Sequence, residues 1–480
     1  MRHFGAVALL LICASLASGQ TFNDFLTRVN TAPQPERPAI VDSFLAALPG
    51  FPFIEPTYSV HFLYRGSANT ATVAGDMNGW NPSAEAMSQI SGTDLWYRSR
   101  VFEADARLDY KFVLNGSNWI LDPRNPYTVQ GGFGPNSELR MPHFVLPPEI
   151  EYYPEIGHGS LRDTMFASQN LGNTRRVRIY TPPDYDPNGP CYSLLLVHDG
   201  LEYITLARSE RILDYLIHHN QIDPLIAVFV PPVNRTPEYA GNQQAAFGRF
   251  ITEELITWVD SEYNTCPDPS RRGTVGASNG ANIALWLSVT YPHIFGQVGA
   301  QSPNVQQSIS DTLTARDDLG LRFYADIGTY DIPVLIPLAQ NLLQILQNQQ
   351  YPFFFQNLND GHSWGNWRAH LDECLIYLFP SSVPTSPGRT QIPTSPKLAQ
   401  NYPNPFNPAT KVVFELDKRQ FVRLTIFDIQ GREVDTLANA VLAAGRYEMD
   451  FNGANLPSGI YLARLSAGAT TETIKMILLK

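Results

Sequence analysis

The stretch Gly273-Thr-Val-Gly276-Ala-Ser278-Asn-Gly280-Ala-Asn-Ile-Ala-Leu-Trp-Leu287 decides how this chain folds. It opens as a short apolar strand, turns through Gly-x-Ser-x-Gly, and continues with helical spacing. A strand-to-helix reversal this sharp tolerates only small residues at the flanking positions, because a side chain there collides with the opposite limb. The reversal lifts the Ser278 hydroxyl to the carboxyl edge of a sheet. A serine hydroxyl is a weak nucleophile on its own, so the pattern predicts a base and an orienting acid elsewhere in the chain.

Outward from this turn, strands and helices alternate across residues 156–380. Arg176-Val-Arg-Ile-Tyr-Thr, Ser193-Leu-Leu-Leu-Val, Leu225-Ile-Ala-Val-Phe-Val, Gln297-Val-Gly-Ala and Leu321-Arg-Phe-Tyr-Ala-Asp-Ile read as strands. Between them residues 208–218, 247–261, 282–290 and 336–347 have helical periodicity. Continuous apolar strands separated by helices imply a mostly parallel sheet covered on both faces, an α/β class. The base is expected on Asn359-Asp-Gly-His362-Ser-Trp364, a glycine-containing loop after the strand Pro352-Phe-Phe-Phe-Gln. The acid is expected at Asp331, in the turn Gly328-Thr-Tyr-Asp331, with Asp326 second because a strand position aims it along the sheet. Its work is to fix the imidazole tautomer and stabilise the imidazolium. An oxyanion needs two preorganised N–H donors. Topology assigns one to Asn279 and the other to the loop His198-Asp-Gly-Leu-Glu-Tyr203, at Leu201 or else Gly200.

Two other units flank this one. Residues 20–55 have helical spacing broken by Pro33, Pro35 and Pro38, and from 56 to 145 the period becomes two. Asn78-Gly79, Ser91-Gly92 and Asn115-Gly116 separate short strands as hairpin turns do, so a small antiparallel sandwich is expected. Trp80, Trp96 and Trp119 either stack on sugar rings or fill the sandwich core and its contact with the next domain. The packing or lid role is the expectation taken forward. Alternation puts Trp96 and Tyr97 on opposite faces. Residues 381–397, rich in Ser, Pro and Thr, read as a linker, and 398–480 return to short strands.

Of 480 residues 16% are charged, against roughly 25% in average globular proteins, and 44% are hydrophobic, which excludes a disordered chain. The net charge of -11 and the lack of a basic run exclude a nucleic-acid partner. Residues 1–19 carry Arg2, an apolar run from Ala6 to Ile12 and the small residues Ala17-Ser-Gly19, a secretory signal. Its removal takes Cys13 away and leaves Cys191, Cys266 and Cys374, enough for one bridge that sequence does not choose. No later run reaches the ~20 apolar residues of a membrane span. No HExxH, CxxC pair or P-loop appears, so neither a metal nor a cofactor is expected.

Three resemblances rest on particular motifs. Val197-His-Asp-Gly200, Asn234-Arg-Thr-Pro-Glu-Tyr239, Phe250-Ile-Thr-Glu-Glu-Leu255, Gly276-Ala-Ser-Asn-Gly280, Gly328-Thr-Tyr-Asp331 and Gly361-His-Ser-Trp364 are similar to the esterase-D-like α/β-hydrolases, which include enterochelin and feruloyl esterases. That resemblance implies Ser278, Asp331 and His362 as nucleophile, acid and base of a serine esterase. Arg235, Glu238 and Tyr239 then either touch a polar part of the substrate or brace their loop, and Trp364 and Trp367 are pocket-wall candidates. Val73-Ala-Gly-Asp-Met-Asn-Gly-Trp80 and Leu121-Asp-Pro-Arg-Asn-Pro126 resemble glycogen-binding immunoglobulin-like domains and the first domain of enterochelin esterases. Leu398-Ala-Gln-Asn-Tyr-Pro-Asn-Pro-Phe-Asn-Pro408, Phe427-Asp-Ile-Gln-Gly431, Leu456-Pro-Ser-Gly-Ile-Tyr461 and Lys475-Met-Ile-Leu-Leu-Lys480 resemble the C-terminal sorting domain of type IX secretion. The resemblances imply an exported ester hydrolase, acting on feruloyl or acetyl esters of plant polysaccharide or on a siderophore ester, with the type IX secretion machinery as partner of residues 398–480.

Overall fold

The computed structural model describes residues 21–132, 134–316, 318–382, 395–417, 420–442, 445–468 and 470–480. The expected signal and most of the expected linker lie outside the described residues. The middle unit has eight strands: β1 (Ser160–Ser168), β2 (Asn173–Thr181), β3 (Ser193–His198), β4 (Leu225–Val230), β5 (Arg272–Ala277), β6 (Gln297–Gln301), β7 (Arg322–Tyr330) and β8 (Phe353–Gly361). Their spatial order is β1-β2-β4-β3-β5-β6-β7-β8, antiparallel at β1, β2 and β4 and parallel from β4 onward. This is the α/β-hydrolase arrangement. Strands β3, β4 and β5 are buried along their whole length, as expected of a sheet with helices on both faces. One apolar layer contains Leu195, Phe229, Val275 and Leu375, the other Leu194, Val228, Phe250 and Ile283.

Two features go beyond the sequence reading. The polar β1 adds an edge strand that hydrophobic periodicity does not reveal, its residues being largely exposed. Strand β7 runs on to Tyr330, so Gly328 and Thr329 are strand rather than turn and Asp331 is the first residue past it. Cys191 and Cys266 form the disulfide, while Cys374 is buried and free.

The sandwich begins slightly before residue 56, with Phe53–Ile54, and its two sheets enclose Val60, Phe62, Val73, Trp96, Tyr110 and Phe112. Helices Phe22–Thr31 and Arg37–Ala47 lie on the outside of one sheet, packing Phe25, Val41 and Phe44 against Leu63 and Leu95. Alternation thus covers both neighbours: Trp96 enters the sandwich core and Tyr97, partly buried, packs against the helices. The other sheet of the sandwich meets the edge of β8 where Arg107, on strand Arg107–Leu114, pairs in parallel register with Asp360. The C-terminal unit is a second sandwich, a three-stranded and a four-stranded sheet around Val412, Phe414, Leu424, Ile426, Leu465 and Met476.

Candidate active site

Strand β5 delivers Ser278 into a strained turn. Its φ of 58° and ψ of -120° are a left-handed setting that costs a non-glycine residue ~1–3 kcal/mol. Helix Asn279–Thr290 starts at the next residue. The turn is so tight that a Cβ on Gly276 would stand 2.3 Å from the Gly280 carbonyl carbon, and one on Gly280 would stand 2.9 Å from the Asp199 carboxylate. The Ser278 N–H donates to the Gln301 carbonyl at 2.9 Å, and its own carbonyl accepts from the Asn282 N–H at 3.1 Å.

Asp331 and His362 meet at the ends of β7 and β8. His362 Nδ1 lies 2.8 Å from Asp331 Oδ1, which also accepts the Ile332 N–H at 2.7 Å. The Asp331 side chain is fully buried, that of His362 18% exposed. An ionised carboxylate only accepts, so Nδ1 carries the proton and Nε2 is left free to accept one. Ser278, Asp331 and His362 line one cavity of about 720 Å³. Asp326 does not reach it. That carboxyl is fully buried, takes hydrogen bonds from the Ser302 N–H at 3.0 Å and the Tyr324 hydroxyl at 3.0 Å, and is pushed up to about 6 by burial. His198 is buried with Nε2 2.9 Å from the Thr274 hydroxyl, and burial holds its imidazole down at about 3.

The amides assigned to the oxyanion both belong to helix first turns, whose N–H groups lack partners in the helical ladder. Asn279 is the first residue of its helix and Leu201 the second of helix Gly200–Thr205. Gly200 itself has a packing role: a Cβ there would lie 2.5 Å from the backbone of Phe229 and Val230. Tyr239 is fully buried and its hydroxyl accepts the Asp199 N–H at 2.9 Å, so it braces the turn and does not touch the cavity. Glu238 is likewise buried, paired with Arg175 at 2.9 Å. Both lie on a short helix whose inward side the sequence pattern did not reveal. Arg235 lines the cavity, but both its Nε and Nη2 are engaged by Asp199, at 2.8 and 2.7 Å. Trp367 stands edge-on to His362 at 5.0 Å and donates Nε1–H to Ser302 Oγ at 3.1 Å, and Trp364 is edge-on to Trp367 at 4.9 Å.

The sandwich supplies the opposite wall of the cavity, in line with the packing or lid role expected for it. Trp80 and Trp119 stack with centroids 6.4 Å apart, and both line the cavity that contains Ser278. Trp80 Nε1–H donates to Asp76 Oδ1 at 2.9 Å, while Trp119 is 41% exposed. A signal was present. Arg107, Asp109 and Lys111 alternate with Leu108, Tyr110 and Phe112, three charges on one face of a strand whose other face is core.

Residues 168–378 match the family model described as putative esterase, and residues 400–479 match that of the secretion system C-terminal sorting domain. An uncharacterised Bacillus subtilis protein, YjcH, is 27% identical over 233 residues, 45% of this chain and 97% of that protein. The iron(III) enterobactin esterase of Escherichia coli O6:H1 is 25% identical over 340 residues, 62% of this chain and 83% of that protein. The enterobactin esterase of Shigella flexneri, solved in the presence of enterobactin, superposes with a TM-score of 0.58 at 24% identity, covering 67% of this chain and 92% of its own. The sorting domain marks the protein for type IX secretion to the cell surface or the extracellular space and for interaction with that machinery. Among the described residues no helix is long and apolar enough to cross a membrane.

Proposed function

We propose that this chain, an esterase-family hydrolase over residues 168–378 with a secretion-system sorting domain over residues 400–479, cleaves carboxylic esters through an acyl-enzyme on Ser278. Ser278 Oγ attacks the ester carbonyl carbon while His362 Nε2 takes its proton. Asp331 holds Nδ1 and offsets the charge of the imidazolium. The oxyanion lies against the N–H groups of Asn279 and Leu201. Collapse of the tetrahedral adduct expels the alcohol, which leaves with the proton from Nε2. Water then repeats the sequence and releases the acid. The observation that carries this reading is the 2.8 Å Asp331–His362 pair opening into the same cavity as a serine held at positive φ.

Export beyond the cell favours a large external substrate, and the Trp80, Trp119, Trp364 and Trp367 walls suit a flat acyl group or sugar. Feruloyl or acetyl esters of plant polysaccharide fit both. A catecholate siderophore ester is the second reading. It is favoured by the alignment with the Escherichia coli iron(III) enterobactin esterase, which is longer than the esterase domain. Turnover of feruloyl, acetyl and catecholate esters by wild type and Ser278→Ala tests both levels. Near wild-type hydrolysis in the variant overturns the mechanism, and the preferred ester selects the substrate.

A further inference from the structure

The loop that carries His362 is gripped from the sandwich as well as from its own domain. Arg107 is 1% exposed and spends its donors in four directions. Within the sandwich, Nε–H donates to Glu138 Oε1 and an Nη2–H to Asp109 Oδ1, both at 2.6 Å. Across the boundary, Nη1 donates to Ser363 Oγ at 2.8 Å and to Asp360 Oδ1 at 3.3 Å. Asp360 and Ser363 bracket Gly361-His362. Asp360 Oδ1 also accepts the Gly361 N–H at 2.8 Å, and Asn366 Nδ2 donates to the Gly361 carbonyl at 3.0 Å. The fit leaves no spare room. A Cβ on Gly361 would lie 2.1 Å from Asp76 Cγ, and one on Gly365 would lie 1.9 Å from Arg107 Nη2. The acid's side of the site is tied down as well, since the hydroxyl of Tyr330, next to Asp331, donates to Glu103 Oε2 at 2.6 Å. Asn359 Nδ2 donates to Asp105 Oδ1 at 2.7 Å.

We propose that Arg107 is a positioning residue for His362, and that the sandwich is thereby a working part of the ester-cleaving site as well as a cover for it. The proposal rests on the serine mechanism above. Placement within a fraction of an ångström is what such a grip supplies, and a misplacement of about 1 Å costs roughly 10²-fold in rate. The guanidinium can do this because its planar fork fixes direction as well as charge, which an ammonium does not. Buried without it, Asp109, Glu138 and Asp360 would be carboxylates lacking a common cation.

The test uses the full chain. In Arg107→Met, kcat is expected to fall about 10²-fold with KM within about twofold of wild type, and Arg107→Lys is expected to recover only part of the loss. Should Arg107→Met fail to fold, Asp360→Asn, which keeps the side chain's shape, is expected to lower kcat about 10-fold with KM unchanged. A kcat within twofold of wild type in whichever of these variants folds overturns the proposal, as does a change confined to KM. Labelling of Ser278 by a fluorophosphonate separates this from the parent reading. Absence of labelling in wild type defeats the serine mechanism itself, whereas equal labelling rates in wild type and variant defeat only the role of Arg107.

Discussion

The two loops that bring serine and histidine to the cavity are held in opposite ways. Around Ser278 the tightest constraint is local: a Cβ on Gly276 would run into Gly280 across one turn, and the strand and helix on either side are continuous in sequence. Around His362 the constraint is remote, since the side chain that spans the loop, Arg107, lies 253 residues from Asp360. A nucleophile turn of this kind is a backbone conformation and can be written into five residues. A histidine loop has no such conformational signature and takes its shape from what it packs against.

The largest effects should come from the local half. Ser278→Ala is expected to lower ester turnover on the order of 10⁴-fold or more without altering the melting temperature, measured by steady-state kinetics and thermal unfolding. A melting point that drops with activity would mean the serine is needed for the turn and not for the chemistry.

Next come the two acids, which separate the residue at the cavity from the one beneath the sheet. Asp331→Asn should cost about 10⁴-fold in kcat through the wrong imidazole tautomer, whereas Asp326→Asn should leave kcat within a few-fold. The reverse ranking would exchange their roles. Asp326 has its own pH signature. Burial raises its folded value to about 6 from an ordinary 3.8, so the folded chain keeps a proton that the unfolded chain releases. Its stabilising contribution is full below pH 3.8 and lost as the pH rises through 6. Denaturant titrations should therefore show stability falling over that interval in wild type and a flatter curve in Asp326→Asn.

Glycine substitutions compare the loops directly. Gly276→Ala drives a Cβ into backbone and is expected to destabilise by about 3 kcal/mol, the upper range for overpacking, seen in the denaturation midpoint. Gly365→Ala meets the Arg107 guanidinium instead of backbone, so it should displace that grip and lower kcat, with a smaller loss of stability than Gly276→Ala. Equal stability losses would mean that the histidine loop is as rigid as the nucleophile turn. The smallest effect is at the far wall. Trp119→Ala should raise KM for aromatic esters roughly 2- to 10-fold and leave acetyl esters unchanged, in keeping with one lost stacking contact.

What could be read from the residues follows the same division. Continuous apolar runs announce buried parallel strands, and Gly-x-Ser-x-Gly between strand and helix announces its own turn, so the α/β-hydrolase fold and Ser278 were legible. Asp331 and His362 were legible through chain order and through the motifs around them. Strand β1 was not, because it is polar and owes its place to pairing with β2. Tyr239 stayed open between touching substrate and bracing its loop, because adjacency to a motif does not say which way a side chain faces; it is buried and braces the Asp199 turn.

Local residues sufficed wherever a property depends on neighbours a few positions away: periodicity, turn geometry, the strained serine, the composition of the C-terminal strands. Tertiary structure alone decided that Cys191 finds Cys266, that Trp80 and Trp119 look onto Ser278, and that one arginine of the sandwich reaches both sides of His362. Those are meetings between distant segments. They depend on pairing buried charges and covering aromatic surface with a partner that no local pattern can name.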